Sequence, residues 1–309
     1  MMLLLAAALP LLYWDGPVNA VTSLTDAKIA HVAIPSDKAD EWKAISGITA
    51  ESVDPSKLTR LQPPGVKYRF QVSSATEEPW VETNAWRLLR QPSGRFYYEA
   101  PGNLALLAAA EAFMWGADAV IHTDLAGLPE FAKFLSFLGQ LEPVALPARA
   151  NIGFVDDGSG MSGEAMKLLA RRNLLFRIVS KPDPALDLNV QIGSKEYTKE
   201  QARDPYFLAQ KVRGDLGDDK RLVRVFGSEV TVARLMGNQE RARLHLLNHA
   251  AARRPAVGVR VRVKGPYRQV RSAVFGKASP ELKDIVVDGD GIEFTLPQID
   301  VYAVVDLIR

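Results

Sequence analysis

The chain contains no cysteine. Disulfides, thiol nucleophiles and Cys-based zinc or iron–sulfur centres are therefore excluded. Histidine is scarce as well. His31, His122, His245 and His249 are the whole set, too few for a His-rich metal site. His245 and His249 are four apart, but on a predicted strand and turn rather than one helix face. An excess of one charge is also missing. Lys plus Arg number 38 against 36 Asp plus Glu, a net of +2, so nothing in the balance points to nucleic acid or an anionic membrane surface. The apolar run MMLLLAAALPLLYW (Met1–Trp14) falls short of the about 20 residues that a membrane-spanning helix needs. Motifs of the G-x-S-x-G, P-loop and His-Glu-x-x-His kinds do not occur. No cofactor, metal or membrane partner is expected, and nothing in the sequence sets an oligomeric state.

What remains is ordinary folding material: 309 residues, 47% hydrophobic and 24% charged, within the range of folded domains. The apolar N-terminus has two readings. It resembles the h-region of a secretory signal, with small residues at Ala6-Ala7-Ala8 and Val18-Asn19-Ala20 as cleavage sites, although a basic n-region is missing. Alternatively, Leu11–Trp14 is the first buried strand. Both hold if cleavage falls near Ala8. An extracytoplasmic location is the expectation, and the lack of cysteine suits it.

Short apolar runs and helical patterns then alternate. LLYWDG, HVAIP, VKYRFQVSS, FYYEAP and ADAVIHTD read as strands, and NLALLAAAEAFMWG and Leu128–Leu141 as helices. Such alternation predicts parallel strands with crossover helices. Two prolines between Pro143 and Arg149 suggest a linker. A second α/β unit follows, with NIGFVDD, a glycine loop and EAMKLLARRN. Beyond Asp218-Asp219-Lys220 the pattern becomes antiparallel: short Val-, Arg- and Thr-rich runs separated by Gly, Pro and Asn, with period-two alternation in Arg260–Lys264. The expected architecture is α/β followed by all-β. It divides into a signal peptide or remnant at 1–10, a reduced TIM-barrel-like domain at 11–146, an α/β unit at 147–219 and a β-sandwich at 220–309.

In parallel α/β folds the working residues sit just past the C-terminal ends of strands. Those positions hold Trp14 and Asp15; Glu77, Glu78, Trp80, Glu82, Asn84 and Trp86; Tyr98 and Glu99; His122 and Asp124. Carboxylates mixed with aromatics suit a sugar, whose C–H faces stack on rings while its hydroxyls need polar partners. Glycoside hydrolysis takes two carboxyl groups, about 5–5.5 Å apart for retention and about 6.5–9.5 Å for inversion. The segments LLYWDG, PWVETNAWRLLR with Tyr97-Tyr98-Glu99, and Arg221–Leu307 resemble, in their order and texture, bacterial glycoside-hydrolase-like proteins. In those a (β/α) barrel is followed by a flavodoxin- or amidotransferase-like unit and a β-sandwich. The resemblance implies an oligo- or polysaccharide partner. On that reading Glu82 and Glu99 are the catalytic pair, and Trp14, Asp15, Trp80, Asn84, Trp86, Tyr98, His122 and Asp124 line the site. A non-catalytic carbohydrate-binding or scaffold protein derived from a hydrolase is the alternative. A full eight-stranded barrel needs about 200 residues, so either the barrel is reduced or the strands of 151–217 complete it.

Plainer roles compete at several positions. Glu77 and Glu78 read as a solvated loop, Asp15 and Asp124 as helix caps, Asn84 as an Asx turn, and Glu111 as a surface position. Gly158, Gly160 and Gly163 form G-x-G-x-x-G after a strand, but Asp156-Asp157 would repel a phosphate. Asp288-Gly289-Asp290-Gly291 reads as a hairpin turn rather than a calcium loop.

Overall fold

The computed structural model describes residues 9–70, 77–278 and 281–309. Residues 1–8, most of the stretch read as a signal peptide or remnant at 1–10, lie outside the described residues. The first half of the chain contains β1 (Leu11–Tyr13), α1 (Val21–Asp26), β2 (His31–Ile34), α2 (Ala39–Trp42), β3 (Thr49–Ser52), β4 (Thr59–Leu61), β5 (Gly65–Phe70) and β6 (Glu77–Glu82). It continues through α3 (Ala85–Arg90), β7 (Arg95–Glu99), α4 (Leu104–Trp115), β8 (Asp118–His122) and α5 (Leu128–Gln140). Two compact units share these elements. One takes residues 9–65 and 91–143; the other takes 66–90 and everything from 144 onward.

The first unit holds a six-stranded sheet in the order β3-β2-β1-β8-β7-β4, parallel throughout. From β1 the strands run in chain order one way to β3, and backwards the other way through β8 and β7 to β4. The first strand of this sheet thus pairs with its last. That is the connectivity of a (β/α) barrel opened between β3 and β4. A dinucleotide-binding sheet would instead place its fourth strand beside the first. Two of the six strands, β3 and β4, carry no apolar run (Thr49–Ser52 is TAES, Thr59–Leu61 is TRL), which is why periodicity passes over them. VKYRFQVSS, expected among the parallel strands, supplies β5, which pairs with β6 in a separate two-stranded sheet. Glu77 and Glu78 begin β6 rather than lying in a loop.

Successive strand residues point to opposite faces. Tyr13, Ala33, Val53, Tyr97 and Val120 cluster on one face of the sheet. Leu12, Tyr98 and Ile121 are fully buried on the other parity; α4 packs on β7 and β8, and α5 on α4. Ala and Leu favour the α4 helix, and Gly116 ends it in the left-handed region at φ 66°. Helix α4 is apolar nearly all round because it is buried nearly all round. Glu111, expected at the surface, is completely buried, and its carboxylate accepts a hydrogen bond of 3.2 Å from the Tyr98 hydroxyl.

The second unit continues with β9 (Ile152–Val155), α6 (Gly160–Arg171), β10 (Phe176–Val179), β11 (Leu188–Gln191), α7 (Lys199–Ala202) and α8 (Pro205–Leu216). Strand β9 lies between β10 and β11, parallel to both. These strands form a sheet of their own and do not join the six-stranded one. Helix α6 packs against α3 and α8.

The rest of the unit is β12 (Val223–Phe226), β13 (Thr231–Gly237), β14 (Arg241–Asn248), β15 (Ala256–Lys264), β16 (Gln269–Val274), β17 (Lys283–Asp288), β18 (Gly291–Ile299) and β19 (Tyr302–Ile308). They form two antiparallel four-stranded sheets, β12-β15-β18-β17 and β13-β14-β19-β16. One apolar core joins them. Val259, Val261, Val263, Ile292, Phe294 and Leu296 face Leu235, Leu244, Leu246, Val305 and Leu307. On the other face of β15, Arg260 pairs with Glu293, Arg262 with Asp288 and Asp290, and Lys264 with Asp290. Asp288 and Asp290 therefore serve the β17–β18 hairpin as partners for cations.

Candidate functional site

Three neighbouring parallel strands, β1, β8 and β7, bring Tyr13, His122 and Glu99 to one level. The register pairs Tyr13 with His122 and His122 with Glu99. Asp15 follows two residues after Tyr13 and keeps the same facing. A cleft of ≈ 460 Å³ opens at these strand ends. It is lined by residues after β1 (Trp14–Pro17 and Ala20), by Glu99 at the end of β7 and Pro101 beyond it, and by His122 at the end of β8 with Thr123–Leu125 beyond it.

His122 is its centre. Nε2 lies 3.3 Å from Asp15 Oδ1, and Nδ1 lies 3.7 Å from Glu99 Oε1. A neutral imidazole has one N–H and serves only one of these carboxylates; with the proton on Nε2 it donates to Asp15. The ring rests on aromatics: Tyr13 meets it edge-on at 5.7 Å, Tyr97 lies stacked at 6.5 Å, and the two tyrosines meet edge-on at 5.7 Å. Arg60, opposite Tyr97 in register, sets its guanidinium 5.1 Å from that ring and 3.8 Å from Glu99 Oε2. Burial, aided by the negative charge of Glu99 and opposed by Arg60, pushes the Tyr97 phenol up to about 12. Tyr13 is raised by burial, then by Asp15, Asp37 and Asp54. Both phenols thus stay neutral donors at ordinary pH.

The loops are held separately. Asp124 Oδ1 accepts the Gly102 amide at 3.0 Å and the Gly127 amide at 2.9 Å, tying the loop after β8 to the one after β7. These backbone donors, Gly102 first, lower its pKa. Lys38 donates to the Asp15 main-chain carbonyl. The Trp14 indole folds over Gly16, where a Cβ would come within 2.8 Å of the ring.

The cleft therefore brings together Trp14, Asp15, Glu99, His122 and Asp124 from the sequence-derived set. Tyr98 is a correction: it has the opposite parity to Glu99, is fully buried, and spends its hydroxyl on Glu111. Tyr13 and Tyr97, which stand at the same strand ends, join the site beyond that set, and so does Arg60. Strand parity and the β4–β7 register would have found them, had the pairing been known.

Glu82, Trp80, Asn84 and Trp86 belong to the other unit. Glu82 accepts a hydrogen bond of 2.6 Å from Lys167, whose side chain is 9% exposed, and has Lys67 at 3.7 Å. Trp80 is covered by the Arg171 guanidinium at 4.0 Å. Trp86 has Arg87 at 4.1 Å and Arg90 at 4.6 Å, and presses on Gly163, where a Cβ would meet its ring at 2.9 Å. Asn84 starts α3, its carbonyl accepting from the Arg87 and Leu88 amides. All four thus hold α3 and β6 in place within the second unit.

The glycine loop is also occupied by its own chain. Asp156 accepts the Gly158 amide and a two-pronged contact from Arg90. Asp157 takes the Ser159 amide and the Ser162 hydroxyl, and these bonds, the Ser162 one largest, hold its carboxyl at about 2. The donors that would cradle a phosphate already face carboxylates. Among the described residues no group of three His, Asp or Glu is placed to hold a metal ion, and no helix is long and apolar enough to cross a membrane.

No family model and no curated protein matches the chain. Among solved structures it is similar to alpha-L-fucosidase isoenzyme 2 from Paenibacillus thiaminolyticus, with 12% identity, 71% of this chain, 61% of that chain and a TM-score of 0.53. It is also similar to a beta-galactosidase from Rahnella sp. R3, with 11% identity, 96% of this chain, 60% of that one and a TM-score of 0.37. The chain spans about 60% of the length of both. A likeness at this identity speaks to fold alone, and only the fucosidase score carries weight. The fold shared with the fucosidase is a parallel α/β ladder accompanied by antiparallel β-sheets.

Proposed function

We propose that the chain binds a carbohydrate in the cleft at the ends of β1, β7 and β8, with Asp15 and Glu99 as the carboxylates available for glycoside hydrolysis. The observation behind this reading is the convergence of Asp15, His122 and Glu99 on one opening at strand C-termini, where folds of this kind place their chemistry. Trp14 offers an apolar wall, the carboxylates offer acceptors for hydroxyls, and the His122 ring lies between them. Glu82 of the sequence-derived pair gives way to Asp15, because Glu82 is committed to Lys167 and Lys67.

A second reading, binding without turnover, is favoured by the ladder itself. Among the described residues it has six strands and stops at β3 and β4, which leaves fewer strand ends to build a complete active site. Glycosides and polysaccharides assayed for release of reducing ends, alongside calorimetric binding, separate the two. Turnover lost in Asp15→Asn and Glu99→Gln supports hydrolysis at this cleft. Binding with no turnover supports the second reading. No binding across a broad glycan panel contradicts both.

A further inference from the structure

The cleft is charged in one sense. Asp15, Glu99 and Asp124 are the lining carboxylates, and His122 is the only basic side chain among the lining residues. The Asp15 and Glu99 side chains are 57% and 61% exposed. Their charge therefore reaches whatever enters. Two cations stand nearby: Lys38 is bonded to the main-chain carbonyl of Asp15, and Arg60, over the Tyr97 ring, lies 3.8 Å from Glu99 Oε2. Neither lines the cleft. Asp54 has its own partner in Lys57 at 3.6 Å, and Asp37 adds a further carboxylate nearby. The raised phenol of Tyr13 records the same field, since after burial its causes are Asp15, Asp37 and Asp54.

We infer that this cleft selects its carbohydrate by charge, preferring a basic sugar with a free amino group over the neutral sugar and excluding acidic ones. The inference rests on the carbohydrate reading above and adds the class of sugar. An ammonium entering between Asp15 and Glu99 gains two exposed carboxylate acceptors. A uronate or succinate would enter against three carboxylates with no arginine among the lining residues.

One skeleton in three charge states tests this. β-1,4-linked glucosamine tetrasaccharide is titrated calorimetrically as the free amine, the N-acetyl form and the N-succinyl form. The free amine is expected to bind about fivefold tighter than the N-acetyl form at low salt, the size of one partly exposed ion pair. The difference should shrink in high salt as the charges are screened, and the succinyl form should not bind. Asp15→Asn or Glu99→Gln should weaken the free amine more than the N-acetyl form. Should either variant fail to fold, the salt dependence of the wild type still decides. Equal affinity in all three states, tighter binding of the acidic form, or no binding of the free amine overturns the inference. The carbohydrate reading itself falls only if the broad glycan panel also fails.

Discussion

His122 Nε2 stands 3.3 Å from Asp15 Oδ1 although the two residues are 107 positions apart in the chain. Pairing of β1 with β8 makes this contact, and the same pairing makes the ladder barrel-like. Replacing His122 with Ala should therefore leave the fold intact while freeing Asp15 and Glu99 from their common neighbour. The expected outcome is a clear loss of glycan affinity with a thermal midpoint close to wild type. Calorimetry with differential scanning fluorimetry checks it; unchanged affinity would show that the imidazole does not organise the site.

Glu82→Gln separates the two candidate carboxylates. It should leave glycan binding as it is, because Glu82 does not line the cleft. It should instead cost about 1–3 kcal/mol of stability by stripping the nearly buried Lys167 of a charged partner. Urea unfolding gives the second number. Lost binding with stability retained would return Glu82 to the site.

Tyr98→Phe probes the buried side of the same strand. It removes the hydroxyl that donates to the buried Glu111 carboxylate, at an expected cost of about 1–3 kcal/mol. Glycan binding should persist, since Tyr98 faces α4. An effect on binding alone would contradict the parity assigned to β7.

These contrasts mark what was legible in the sequence. The α4 helix, its Gly116 stop and the β17–β18 hairpin followed from local rules, because Ala-Leu propensity, a left-handed cap and Asp-Gly turns act over a few residues. The inward valines of β15 were readable from period two alone. Glu111 was not, because its partner Tyr98 arrives from another strand and α4 has no polar face to compare it with. Strands β3 and β4 were not, since TAES and TRL carry no apolar signal and owe their state to parallel neighbours. Residues 77–90 were placed with the barrel because they lie between its strands in sequence. Structurally they join the second unit, where Trp86 packs on Gly163.

Acid should weaken the second unit through Asp157 and Asp218. Both carboxyls sit at about 2, Asp157 through Ser162 and Asp218 through Arg213, below the ordinary 3.8. A depressed carboxyl stabilises the fold above its unfolded value, and the benefit is lost as pH falls from about 4 towards about 2. Asp157 is exposed and Asp218 partly so, so the effect should be modest and salt-dependent. Urea midpoints between these limits should fall more steeply for wild type than for Asp157→Asn. Parallel curves would contradict the assignment.

Gly127→Ala tests the loop clamp. A Cβ there would run into Thr123 Oγ1 and the Gly102 carbonyl, displacing the amide that Asp124 holds. A cost of about 1–3 kcal/mol is expected, together with weaker glycan binding. A variant as stable and as active in binding as wild type would show that the loops after β7 and β8 are not locked together.

The most direct test of the carbohydrate cleft is amide chemical-shift mapping of the 15N-labelled protein titrated with a glycan that binds. The account predicts perturbations concentrated in Trp14–Ala20, Glu99–Gly102 and His122–Gly127, the loops that follow β1, β7 and β8. Perturbations confined to the β-sandwich strands, with those loops silent, would contradict it.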